Sequence, residues 1–136
     1  MIHKVIIVAF LISIVSSVKS QQFIGKTKAI VEQEMSKSYP GFAIDKSSVN
    51  HTYKYLKYIN KETEQTLLVF LSEDDVCTAT KLVSDYTNLI DVKKELNSKF
   101  KSAGKDCWKY TQNGIKCKVK LKRDEWFFSV FTSKDQ

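Results

Sequence analysis

Two periodicities alternate along the chain. Between Cys107 and Phe131 apolar residues recur at every second position, the spacing of a strand that buries one face. Val31, Met35 and Tyr39, and again Val92, Leu96 and Phe100, recur at every fourth, the stripe of an amphipathic helix. The register of the strand region follows from Asn113-Gly114, because a two-residue type I′ hairpin turn needs two positive φ angles. That turn sets Gln112 opposite Ile115, Tyr110 opposite Cys117 and Trp108 opposite Val119. A second turn, expected at Arg123-Asp124, sets Leu121 opposite Trp126, Val119 opposite Phe128 and Cys117 opposite Val130. One face of the resulting meander is Trp108, Tyr110, Ile115, Cys117, Val119, Leu121, Trp126, Phe128 and Val130, a core face. The other carries Lys109, Lys116, Lys118, Lys120 and Lys122 together with Phe127 and Phe131.

The first helix is expected near Ile24–Ser38, stopped by Pro40-Gly41. Strands follow near Phe42–Val49, Thr52–Asn60 and Gln65–Leu71. Ser72, with Asp75 three residues on, reads as the cap of a helix carrying Val76, Ala79, Val83 and Tyr86. A further helix starts after Asn88, carries Leu89, Val92, Leu96 and Phe100, and ends near Gly104.

An offset of 61 aligns the two apolar stripes and carries Lys57 onto Lys118, Lys61 onto Lys122, and Val69–Ser72 onto Val130–Ser133. Ten of the 45 aligned pairs are identical, and stripe, strands and turn agree, so duplication is the expectation. The expected fold is α+β: two helix-plus-three-strand repeats, about 24–72 and 73–133, forming one antiparallel sheet with helices on one face.

The first twenty residues read differently. His3 and Lys4 precede an apolar run from Val5 to Val15, and Val18 and Ser20 suit the −3 and −1 positions of a signal peptidase site. Residues 1–20 are expected to be a secretory signal peptide, with cleavage after Lys19 or Gln21 as alternatives. Residues 21–136 then form a single domain, periplasmic or extracellular, with no transmembrane segment.

Charge narrows the function classes. Without Lys4 and Lys19 the net charge falls from +7 to +5. Seven acids face Lys81 alone between Glu62 and Asp91, whereas eleven bases face Glu95 and Asp106 between Lys93 and Arg123. Arg123 is the one arginine; every other base is lysine. Lysine is a hydrated point charge without the fork that reads bases, so nucleic acid is not the expected partner. An acidic protein surface is, or a second copy of the chain, and the binding residues expected are Lys57, Lys116, Lys118, Lys120, Phe127 and Phe131.

Candidate chemistry is sparse. Neither a cofactor nor a metal is expected: Cys77, Cys107 and Cys117 lack zinc spacing, and Glu73, Asp74 and Asp75 lack that of a calcium loop. Those acids read as complementing the positive end of the expected helix. The meander register puts Cys107 and Cys117 on opposite faces, so the pair that could bond is Cys77 with Cys107. No catalytic residue is assigned. The alternative is an enzyme built on Cys77 at a helix N-terminus and His51. A structural subunit of an envelope assembly is a further one. Asn50-His51-Thr52 fits the glycosylation sequon. The Gln-x-Val-x-Gly hairpin of cystatins is absent, which removes that class of inhibitor.

"MSKSYPGFAID", a helix ending in Tyr-Pro before a strand, and the meander "WKYTQNGIKCKVKLKRDEWFFSV" resemble units of the PepSY-like and beta-lactamase-inhibitor-protein-like exported domains. The resemblance implies a repeated helix-plus-meander fold and a role as a non-enzymatic binder or inhibitor. It carries over no functional residue.

Overall fold

The first helix, α1 (Lys28–Ser38), starts where Thr27 turns its hydroxyl back to accept from the amide of Ile30 at 3.4 Å. It buries Val31 and Met35 and stops at Pro40-Gly41. Gly41 has φ +87°, and a side chain there would come within 2.8 Å of the Asn60 amide nitrogen. That asparagine is buried, and its Oδ1 accepts from the amides of Glu62 and Thr63. The end of α1 is thereby packed against the turn between two strands. These observations come from a computed structural model that describes residues 22–46 and 54–136.

Eight strands follow: β1 (Ala43–Ile44), β2 (Tyr55–Asn60), β3 (Gln65–Leu71), β4 (Cys77–Ser84), β5 (Lys101–Ser102), β6 (Cys107–Gln112), β7 (Ile115–Arg123) and β8 (Phe128–Lys134). The second helix, α2 (Leu89–Lys99), lies between β4 and β5. All eight strands form one open antiparallel sheet in the order β1-β2-β3-β4-β8-β7-β6-β5. The protein is α+β and mostly sheet.

The Asn113-Gly114 hairpin has the expected register: Gln112 pairs with Ile115, Tyr110 with Cys117 and Trp108 with Val119. Both turn residues have positive φ, +50° and +77°. The next hairpin departs from expectation. Arg123 pairs with Phe128 and Leu121 with Val130, leaving a four-residue loop, 124–127, closed by the Asp124 amide on the Phe127 carbonyl at 2.9 Å. The Tyr86 hydroxyl donates to the Asp124 carbonyl and holds that wider loop. The slip is an even number of residues, so Phe128 and Val130 keep the core face. Trp126, expected in the core, falls in the loop and is 78% exposed.

A larger correction falls between the halves. Residues 77–84 are β4, not a helix with Val76, Ala79, Val83 and Tyr86 on its buried stripe. Ser72 does cap, but in a hairpin: its Oγ accepts from the amide of Val76 at 3.2 Å while its own amide reaches the Val76 carbonyl at 2.8 Å. Asp75, with φ +59°, completes the turn. The Glu73–Asp75 cluster therefore starts no helix of its own; the Asp75 carbonyl instead accepts from the amide of Lys28, the first residue of α1, at 2.8 Å. In "CTATKLVS" the β-branched residues disfavour a helix, and Thr80, Leu82 and Ser84 bury one face at period two. β5 also lies in what was expected to be helix, since α2 stops at Lys99 rather than near Gly104.

One core joins the layers. Val31 and Met35 of α1 and Val92 and Leu96 of α2 share a cluster with Leu56, Tyr58, Leu67, Val69, Leu82, Trp108, Val119, Phe128 and Val130 from the strands. The Trp108 indole donates to Asn97 of α2 at 2.8 Å. Phe100 stacks on Tyr110 with centroids 4.5 Å apart. No helix among the described residues is long and apolar enough to cross a membrane.

The revised hairpin has a direct check. Phe128→Ala is expected to cost about 3–5 kcal/mol in urea denaturation, as for other buried aromatics. Trp126→Ala is expected to change stability by no more than about 0.5 kcal/mol. Equal losses from the two would restore the narrower turn.

Candidate binding face

In an antiparallel sheet, directly paired residues project to the same side, so the register lays out the face opposite the core as rows. One row reads Lys57, Leu68, Lys81, Phe131, Lys120, Cys107 from β2 to β6. The row beside it reads Tyr55, Phe70, Ala79, Ser133, Lys118, Lys109, Lys101. A third reads Ile59, Thr66, Val83, Ser129, Lys122. The face is thus divided. Over β2 and β3 it is mostly apolar, around Thr66 and the ion-paired Lys57, with the Tyr55 and Phe70 ring centroids 6.2 Å apart. Over β7, β6 and β5 it is cationic. The small side chains Ala79, Ser129 and Ser133 lie between, on the two central strands, with Phe131 standing among them 42% exposed.

The expected binding residues fall on this face but not as one uniform set. Lys116, Lys118 and Lys120 project together from β7, and no ion pair forms at any of them among the described residues. Phe131 stands between Lys81 and Lys120. Phe127 lies at the end of the same line of β8, inside the loop, 39% exposed. Lys57 is set apart on β2 and is ion-paired to Asp45 at 3.4 Å. Lys61 is in the exposed β2–β3 turn.

Two lysines of the face were missed, Lys81 and Lys101, and Lys109, read on the face, was left out of the binding set. Reading β4 as a helix removed Lys81 from the sheet, and reading Lys101 as helix end removed β5. The alternation of "TATKLV" was the signal for the first; a two-residue edge strand leaves none. Their inclusion changes the electrostatics. Lys101, Lys109 and Lys118 are direct cross-strand neighbours on three adjacent strands, a repulsive arrangement. Asp135 offsets it in part, 3.1 Å from the Lys109 ammonium.

Two acids elsewhere are committed to structure. Asp75 is ion-paired to Lys54, which lowers its pKa. Asp106 receives Arg123 of β7 at 3.3 Å and Lys93 of α2 at 3.2 Å. The Arg123 guanidinium first, and then Lys93, hold its carboxyl below the ordinary carboxylate range.

The cysteines are free thiols. Cys77 and Cys117 are buried in the core, whereas Cys107 is half-buried on the lysine face beside Lys120. The expected Cys77–Cys107 bond is not formed, because the sheet itself stands between the two side chains. Burial pushes the Cys77 thiol up to about 12, so it stays protonated at neutral pH. A nucleophile needs the opposite shift. His51 and the Asn50 sequon lie outside the described residues.

Comparison of the chain with models of protein families, with curated proteins and with solved structures returned no match.

Two measurements check these placements. In the folded protein iodoacetamide is expected to label Cys107 alone, with Cys77 and Cys117 reacting only in denaturant; rapid native labelling of Cys77 would overturn its assignment to the core. Asp106 has a folded pKa below its unfolded value of about 3.9. Its contribution is therefore present above that value and is lost as pH falls through the folded pKa. Asp106→Asn is expected to cost about 1 kcal/mol at pH 7, given the exposure of its partners, and to remove part of the stability lost below about pH 4. Parallel pH curves for the two proteins would refute the ion-pair role.

Proposed function

We propose that the protein is a non-enzymatic binding module, exported by its first twenty residues, that holds an acidic protein partner on the open face of the sheet. The observation that carries this is the division of one face into an apolar half and a lysine half. Phe131, exposed beside Lys120, continues the half-buried apolar row of Leu68 and Phe70 into the lysines, the mixed surface that a protein partner covers. Lys116, Lys118 and Lys120, without acidic partners among the described residues, give that surface a sign. Self-pairing through the face would set lysine against lysine in the second half, which favours a different, acidic partner.

The architecture belongs to the same reading. Both helices cover the core face, supported by the shared cluster and by the Trp108–Asn97 bond. The chain is two duplicated units, each a helix followed by four strands. Support comes from the strand order, in which β1-β2-β3-β4 meets β8-β7-β6-β5. The 61-residue offset carries α1 onto α2 residue for residue. It carries β3 onto β8, however, and these hold different places in the sheet. In the four-strand unit β2 corresponds to β6, 52 residues on, because the connection at 100–106 is shorter than that at 39–54. The exported binders that the sequence resembles are expected to repeat a helix-plus-meander unit as well.

The test is affinity capture from the envelope or culture-medium fraction of the source organism, with residues 21–136 as bait. An acidic protein retained by the natural chain is expected to be lost with Lys118→Glu/Lys120→Glu, and to elute as salt rises. Phe131→Ala is expected to weaken capture about tenfold while the denaturation midpoint stays near its original value. Capture that is the same for all three proteins would dispose of the open face as the binding surface.

A further inference from the structure

The cationic half of the open face has a corner where β5, β6 and β7 come together near the Asn113-Gly114 hairpin. A hollow of about 320 Å³ lies there. Lys101, Lys109, Thr111, Lys116 and Asp135 rim it, and the directly paired Tyr110 and Cys117 lie beneath. Strand alternation sends the Tyr110 and Cys117 side chains to the core, so on this face their backbone makes the floor. Charge in the corner is out of balance. Lys101 and Lys109 are direct cross-strand neighbours, and Lys118 faces Lys109 from the other side. Paired residues have Cβ atoms about 5 Å apart, and lysine stems are flexible, so several ammonium groups can turn to one point. The Lys109 ammonium meets the Asp135 carboxylate at 3.1 Å. No ion pair forms at Lys101, Lys116 or Lys118 among the described residues. Four lysines thus stand against one aspartate, and the repulsion among them is a cost that a bound anion removes.

We infer that this hollow binds a doubly charged oxyanion, a phosphate or sulfate group, between the ammonium groups of Lys101, Lys109 and Lys116, with the Thr111 hydroxyl donating to it. The rim itself selects the dianion. A carboxylate offers two oxygens in one plane and a single charge, whereas a tetrahedral dianion turns oxygens toward donors that converge from three strands. Lysine holds phosphate as a point charge and needs none of the bidentate geometry for which arginine serves. Asp135 already places a carboxylate against Lys109, and an incoming anion shares or displaces that contact. Such a site needs no protein partner. Lys116 stands two rows along the sheet from Phe131, so the hollow is distinct from the aromatic part of the face.

Titration of ¹⁵N-labelled residues 21–136 with sodium phosphate, sulfate or acetate, at neutral pH and with ionic strength held constant by sodium chloride, tests this through the amide chemical shifts. Phosphate and sulfate are expected to give saturable shifts centred on Thr111 and Lys116, and to bind about fivefold or more tightly than acetate. The tighter of the two identifies the kind of ester the hollow takes. Lys101→Gln and Lys109→Gln, at exposed positions, are each expected to weaken phosphate about threefold. Lys122→Gln, on the same face outside the hollow, is expected to leave it unchanged, and Asp135→Asn to strengthen it. Shifts spread along the whole of β7, reduced as much by Lys122→Gln as by Lys101→Gln, would overturn the hollow in favour of a diffuse cationic field and leave the acidic partner in place. Acetate binding equal to that of phosphate, or no saturable shift with any of the three, would overturn it as well.

Discussion

The fold depends on the pairing of β4 with β8. Six registered pairs, from Ala79 with Ser133 to Ser84 with Phe128, are the seam between a four-stranded sheet at one end of the chain and another at the other. On the core side the seam sets Leu82 against Val130 and Thr80 against Thr132, all buried. On the open side it sets Lys81 against Phe131 and Ala79 against Ser133. The same backbone pairing thus fuses two hydrophobic layers into one core and brings an apolar half-face against a cationic one. Sheet closure at the seam also removes the two long edges that each half would otherwise expose.

Charge is used differently on the two sides of this sheet. Around the core side, acids and bases are matched in short-range pairs that tie elements together, as Asp106 ties α2 to β7 and Lys26 meets Glu34 at 2.9 Å. On β7, Lys116, Lys118 and Lys120 follow strand alternation without ion-pair partners among the described residues. That separation is what makes the open face a surface with a sign rather than a patchwork. It places the free thiol of Cys107 beside Lys120 and keeps the other two thiols in the apolar layer.

Much of this was legible in the residues, and the failures share a cause. Asn113-Gly114 settled a register because its turn chemistry is local and allows few alternatives. Val31/Met35 and Val92/Leu96 marked the helices because each stripe, continued by Tyr39 or Phe100, spans more than two turns. Residues 76–86 fit two periodicities at once, and what decides for β4 is a partner strand, β8, some fifty residues away. The loop at 124–127 is widened by a hydroxyl from Tyr86, again remote in sequence, and so Trp126 was misplaced. The lysine ladder was visible as spacing. The third lysine of its cross-strand row was not, because β5 is too short to show a period.

The central seam has a consequence for how the chain reaches its structure. Every other long pairing joins strands adjacent in sequence, so each half can assemble as a meander from nearby contacts. The seam alone closes over a long loop and therefore belongs to the late part of assembly. Until it closes, β4 and β8 each present an unpaired edge, and either edge fits its counterpart on another molecule as well as its own. During folding, protein concentration thus decides between a monomer and a strand-exchanged pair, and dilution at that stage selects the monomer.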